Sequence, residues 1–138
     1  MNPTLKNVLA VIVGLVVGGI VNMAIVIMSS SIIPPPTGVN VTSMESINAN
    51  LHLYQPKHFL LPFLAHAIGT LVGAMITAKM AASKNLFLAI LIGIFYLVGG
   101  IENFRELPNS PSWFIAVDLI LAYIPMGYLG GKLMANKS

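Results

Sequence analysis

Apolar residues run almost unbroken through four stretches, about 7–28, 58–80, 86–103 and 112–134, and polar residues fall mainly in the gaps between them. Each stretch is long enough to cross a hydrocarbon core of roughly 30 Å as a helix rising about 1.5 Å per residue. The pattern predicts an all-α integral membrane protein: a four-transmembrane-helix bundle with residues 1–138 in a single transmembrane domain and no separate soluble domain. Lys6 before the first stretch and Ser29-Ser30-Ser31 after it imitate a signal peptide. Its apolar region is far longer than the roughly 7–15 residues of a signal core, so it reads as an uncleaved anchor.

The first connection, 29–57, is the longest and carries its own pattern. Ile33-Pro34-Pro35-Pro36-Thr37-Gly38 gives a stiff extended exit and then a turn. Thr42-Ser43-Met44-Glu45 matches a capping box, with Thr42 as N-cap and Glu45 reaching back to it. Met44, Ile47, Leu51 and Tyr54 follow at helical spacing, which predicts a short helix over about 43–54, flat on the interface and placed to cover the bundle mouth. Asn40-Val41-Thr42 is an N-glycosylation sequon, meaningful only in a cell that glycosylates such loops. The third connection, Leu107 to Trp113, is a double-proline turn that ends the third span.

Composition agrees with the pattern. The chain is 57% hydrophobic and 8% charged, against roughly a quarter charged in a soluble domain, so the lipid bilayer is its solvent and first partner. A net charge of +3 without a Lys/Arg run excludes nucleic acid as a partner class. The absence of cysteine removes disulfides, thiolate metal sites and thiol redox chemistry. No HExxH, GxSxG or P-loop pattern occurs, so no named enzyme chemistry is signalled and no cofactor is expected. Lys6, Lys79, Lys84, Lys132 and Lys137 fall on one side, while Lys57 and Arg105 share the other with Glu45, Glu102 and Glu106. This bias puts both termini in the cytoplasm and the two longer loops outside. Trp113, Phe114, Phe59 and Tyr54 gather at the outer boundary, as an aromatic belt would.

Spans one and three share Gly18-Gly19-Ile20-Val21-Asn22 and Gly99-Gly100-Ile101-Glu102-Asn103, and spans two and four each end in Lys among small residues and Met. A parallel repeat of two helical hairpins would produce this, as would chance recurrence in a Gly-rich chain. Gly14 with Gly18, Gly69 with Gly73, and Gly127 with Gly131 make small-residue ridges for close helix packing. They serve the bundle itself, a homodimer or a larger membrane complex.

The isolated polar residues carry the candidate chemistry. Counted from the span ends, Asn22 and Asp118 lie roughly 9 Å below the outer boundary and His66 roughly 12 Å. Glu102 and Asn103 sit near the outer end of span three, where Glu102 can snorkel. Buried ionisable groups are expensive in hydrocarbon, so each needs a partner or a use. Together these residues could form a proton relay, a cradle for a polar head group or, with His66, Asp118 and Glu102, ligands for a metal ion that nothing in the spacing specifically signals. Each also has a structural reading. Asn22 sits on a Gly ridge, where an interhelical hydrogen bond is ordinary. Glu102 precedes Arg105 by three residues, an ion-pair spacing. His66 could be a neutral ring bonded to a carbonyl or to Asp118; depth places those two within hydrogen-bonding or one-water distance. Pro125 frees the Leu121 carbonyl and predicts a kink, with Tyr123 turned inward.

Three segments resemble a class of small bacterial four-span inner-membrane proteins to which no activity is attached. They are Pro34-Pro35-Pro36-Thr37-Gly38, Leu64-Ala65-His66-Ala67-Ile68-Gly69 with Gly73, and Gly99-Gly100-Ile101-Glu102-Asn103 continuing to Leu107-Pro108 and Pro111-Ser112-Trp113. The resemblance implies four spans and a bacterial inner membrane, and no reaction. Three functions compete. The first is a binding or permeation protein whose outer-half polar site takes a proton, cation or small polar head group. The second is a non-catalytic accessory subunit that docks a larger complex through its Gly ridges. The third is an intramembrane enzyme using His66 with Asp118 or Glu102.

Overall fold

A computed structural model describes residues 1–135; Lys137, counted among the basic residues above, lies outside them. The chain folds as α1 (Pro3–Ile32), a short α2 (Met44–Ala49) with a 3₁₀ turn (Leu51–Leu53), α3 (Lys57–Met80), α4 (Asn85–Glu106), α5 (Ser112–Leu121) and α6 (Ile124–Ala135). Four helical stretches, α5 and α6 together making the last, are long and apolar enough to cross a membrane. This is a multi-pass membrane protein of all-α class, with a short helix between its first two spans.

α3 is the central helix. It packs on α1 on one side and on α4 and α6 on the other; α4 and α6 pack together, and α1 touches α4 only lightly. Lipid gives helices no hydrophobic reason to associate, so the contacts depend on close backbone approach. A Cβ added at Gly18 would lie 2.6 Å from the Gly69 carbonyl oxygen, and one at Gly73 would lie 2.7 Å from that of Gly14. The same is true of α4 and α6, where a Cβ at Gly127 would meet the Ala89 carbonyl oxygen at 3.0 Å. Gly131 backs onto Ala89 and Leu86. All six ridge glycines are therefore used inside the chain. The two Gly-Gly-Ile segments sit in unlike surroundings: Gly18 is wedged against α3, whereas Gly99 is open.

Polar bonds finish what the glycines begin. Thr77 Oγ1, fully buried, donates to the Ala10 carbonyl at 2.9 Å and joins α3 to α1. At the turn between α3 and α4, Asn7 Oδ1 accepts from the Ala82 N–H at 2.8 Å, and Asn85 Nδ2 donates to the Ala78 carbonyl at 2.6 Å. Lys84 adopts a left-handed φ of 53° to make that turn.

At the opposite end, the loop after α1 folds back over the bundle. Here the structure corrects three expectations. Ser43, not Thr42, is the N-cap of α2, accepting from the Ser46 N–H at 3.2 Å. Thr42 instead turns back to Asn40 Oδ1 at 2.6 Å, an Asx-type bond that competes successfully for its hydroxyl, and Glu45 is left exposed. Phe59 and Phe114 are not belt residues: both are buried with Leu51 and Phe104 in a cluster beneath the loop, their own rings 4.5 Å apart, while Trp113 stays half-exposed. Asn109 clasps the loop from the far side, its N–H donating to Asn48 Oδ1 at 2.9 Å and its side chain to the Asn48 carbonyl at 3.0 Å. Finally, the fourth span is broken rather than merely kinked. α5 stops at Leu121 and α6 begins at Ile124, because Pro125 cannot return a hydrogen bond to the Leu121 carbonyl.

Candidate functional site

The break in the fourth span positions the site. It turns Tyr123 inward at the joint, five residues after Asp118 on α5, and both side chains are buried, Asp118 completely. The Tyr123 hydroxyl donates to Asp118 Oδ2 at 3.1 Å. From α3, His66 Nδ1 lies 2.7 Å from Asp118 Oδ1 and donates to it. The His66 and Tyr123 rings stack at 5.6 Å between centroids. Asp118 thus receives two donors, one on each oxygen, which is what a buried carboxylate needs.

This arrangement fixes the histidine. With the Nδ1 proton held toward the carboxylate, the neutral ring carries its lone pair on Nε2. Nε2 has no hydrogen-bond partner among the described residues, and the His66 side chain keeps 18% of its surface exposed. That surface belongs to a cavity of about 810 Å³ in the half of the bundle nearest the α2 loop. α3 forms its floor with Pro62, His66, Gly69 and Thr70; α1 and α4 form its sides with Asn22, Met23, Tyr96 and Asn103; Met44, Ile47 and Leu51 of the loop cover its end. Asp118 stands behind His66 and does not line it.

Of the sequence candidates, His66, Asp118 and Tyr123 meet directly. Asn22 lines the same cavity, where its Oδ1 is buried without a hydrogen-bond partner. Its Cβ sits against Gly69, three residues from His66 on α3. Asn103 is a half-buried wall residue. Glu102 does not join them. It is exposed and paired with Arg105 at 2.9 Å, since consecutive helical residues diverge by about 100° and only one of 102 and 103 can face the cavity. With Glu102 turned away, the ionisable neighbour of His66 and Asp118 is the phenol of Tyr123, and no group of three His, Cys, Asp or Glu able to hold a metal occurs among the described residues.

The structure adds residues the sequence reading passed over. Tyr96 donates its hydroxyl to the Leu15 carbonyl on α1 and lines the cavity. Thr70 Oγ1 donates to the His66 carbonyl at 2.7 Å, one turn back along α3. Tyr96 was discoverable: Tyr96, Gly99, Gly100 and Asn103 follow the i, i+3, i+4, i+7 pattern of one helix face. At the covered end, burial raises the Tyr54 phenol above its usual range, so Tyr54 stays a neutral group.

Comparison with protein-family models, curated proteins and solved structures finds no match for the chain. The resemblance of the three segments noted above accordingly extends no further than the four apolar spans that the structure contains.

Proposed function

We propose that this protein binds or passes the polar head group of a small ligand in the cavity beside His66, in a bacterial inner membrane, with both termini cytoplasmic and the covered end of the bundle facing outward. The single observation that supports this most is the divided histidine: Nδ1 is held by a buried carboxylate, Nε2 has no hydrogen-bond partner among the described residues, and the residue lines a cavity of about 810 Å³. That volume lies in the range of small-molecule sites, which combine mainly apolar walls with a few placed polar groups. A head group fits better than a bare cation, because Asp118 lies behind the ring and is already doubly bonded. The accessory-subunit reading loses the surface it relied on, since the ridge glycines are occupied within the chain. An enzyme would find in His66 a proton acceptor backed by Asp118, but Glu102, the other partner that reading could use, is turned away to Arg105.

The test is native mass spectrometry of protein released from its membrane in mild detergent. Wild type should carry a small-molecule adduct, and Gly99→Trp, which pushes bulk into the cavity from an open position, should not. A wild-type protein without adduct, together with no proton or cation flux in liposomes, would end this reading.

A further inference from the structure

The cavity is closed at one end by the α2 loop and at the other by the glycine contacts, but not on its flank. Below, α1 is held by Gly14 and Gly18 against α3, and by Leu15 to Tyr96 of α4. Above that tie the two helices part. Met23, Val26 and Ile27 of α1 line the cavity and are also exposed, by 55%, 38% and 71%, so they form a lip rather than a closed wall. Gly99 makes the facing lip: it is exposed, and an added Cβ would meet no atom within 4 Å. Both lips belong to apolar spans, so this flank opens onto hydrocarbon.

The polar atoms inside say what kind of head group would match. The hydroxyl protons of Thr70, Tyr96 and Tyr123 are all directed to acceptors within the protein. In the tautomer that keeps its proton on Nδ1, His66 Nε2 is an acceptor, and Asn22 Oδ1 is a buried acceptor without a partner. The amide groups of Asn22 and Asn103 are the side-chain donors beside them. Among the described residues no Lys, Arg, Asp or Glu lines the cavity; its nitrogen-bearing rings are His66 and, near the covered end, His58, whose Nδ1 accepts from the Gln55 N–H at 2.8 Å. A phosphate head would therefore find no Lys or Arg and an ammonium head no carboxylate, and a charge buried without a partner is costly. A hydroxyl satisfies the set: its proton goes to Nε2 or Asn22 Oδ1, and its lone pairs accept from an Asn amide.

We propose that the occupant is a membrane-dissolved amphiphile with an uncharged hydroxyl head, an alcohol or phenol on a long apolar body, which enters sideways between α1 and α4. This rests on the head-group reading above and names its ligand class and route.

The experiment uses the full chain in liposomes and a diazirine-bearing hexadecanol as photoprobe, with labelled residues identified by peptide mapping. Labelling is expected on α1 and α4 at the lips, and hexadecanol should compete for it. Methyl hexadecyl ether, hexadecyl phosphate and hexadecylammonium should each compete about tenfold less well, the effect of losing one well-placed hydrogen bond. Gly99→Leu should reduce labelling at least tenfold while leaving the melting temperature near that of wild type. If the ether, phosphate or ammonium competes as well as the alcohol, the hydroxyl class is overturned while the head-group site stands. If labelling at the site survives Gly99→Leu unchanged, the lateral route is overturned. If no probe labels the cavity, the amphiphile class and its route are overturned, while the adduct and flux measurements decide separately whether the head-group reading stands.

Discussion

The hydroxyl of Tyr96 on α4 donates to the carbonyl of Leu15 on α1, bridging two helices that otherwise barely meet. The Leu15 carbonyl lies within α1 and already belongs to its hydrogen-bond ladder, so losing the bridge leaves no orphaned acceptor. Tyr96→Phe should therefore cost only about 1 kcal/mol, read as a small shift in an unfolding titration from mixed micelles. A loss of several kcal/mol would show that the bridge holds α1 in place.

The His66–Asp118 pair should behave asymmetrically under substitution. Asp118→Asn keeps an acceptor of the same shape and should leave the bundle assembled, with stability changed by about 1 kcal/mol or less. Asp118→Leu strands the His66 Nδ1 proton and the Tyr123 hydroxyl in a buried space, which should cost on the order of 3 kcal/mol. Thermal melts of the two variants in one detergent make the comparison. Equal losses would contradict the hydrogen-bonded arrangement.

Gly18 and Gly99, the matched positions of the two Gly-Gly-Ile segments, should respond in opposite directions to alanine. At Gly18 the new methyl collides with the Gly69 carbonyl oxygen at 2.6 Å, a backbone atom that cannot move aside cheaply, so Gly18→Ala destabilises. At Gly99 it enters open space, and Gly99→Ala should stabilise by up to about 1 kcal/mol through helix propensity alone. Melting temperatures of the two single variants decide it.

Orientation is tested by labelling. Single cysteines at Thr37, in the exposed loop before α2, and at Lys84, in the turn after α3, should differ in intact cells. A membrane-impermeant maleimide should reach the first and not the second. The reverse result would invert the topology inferred from the lysines.

Much of the arrangement was legible in the residues because a bilayer leaves few options. Four apolar stretches had to be four spanning helices, and depth counting alone brought His66 opposite Asp118. The ion pair of Glu102 with Arg105 was equally visible in its spacing of three residues. Other features were set by packing that no local pattern encodes. Nothing near Thr42 reveals that Asn40 would take its hydroxyl and move the cap to Ser43. Phe59 and Phe114 look like boundary aromatics until the folded-back loop covers them with Leu51. The cavity itself depends on α1 and α4 both lining it while touching only lightly, a relation between segments far apart in the chain.

The break at Ala122–Tyr123 changes the mechanics of the fourth span. A continuous helix tilts as one rod; here α6 is locked by Gly127, Gly130 and Gly131 against its neighbours, while α5 is a ten-residue segment joined to it only through a non-helical linkage. Phe114, which lies beneath Leu51 of the covering loop, and Asp118 stand one turn apart on that short segment. They share a lever arm. Any displacement of the cover that tips α5 also moves the carboxylate that holds His66, so the loop and the ring nitrogen in the cavity are mechanically coupled through four residues of helix.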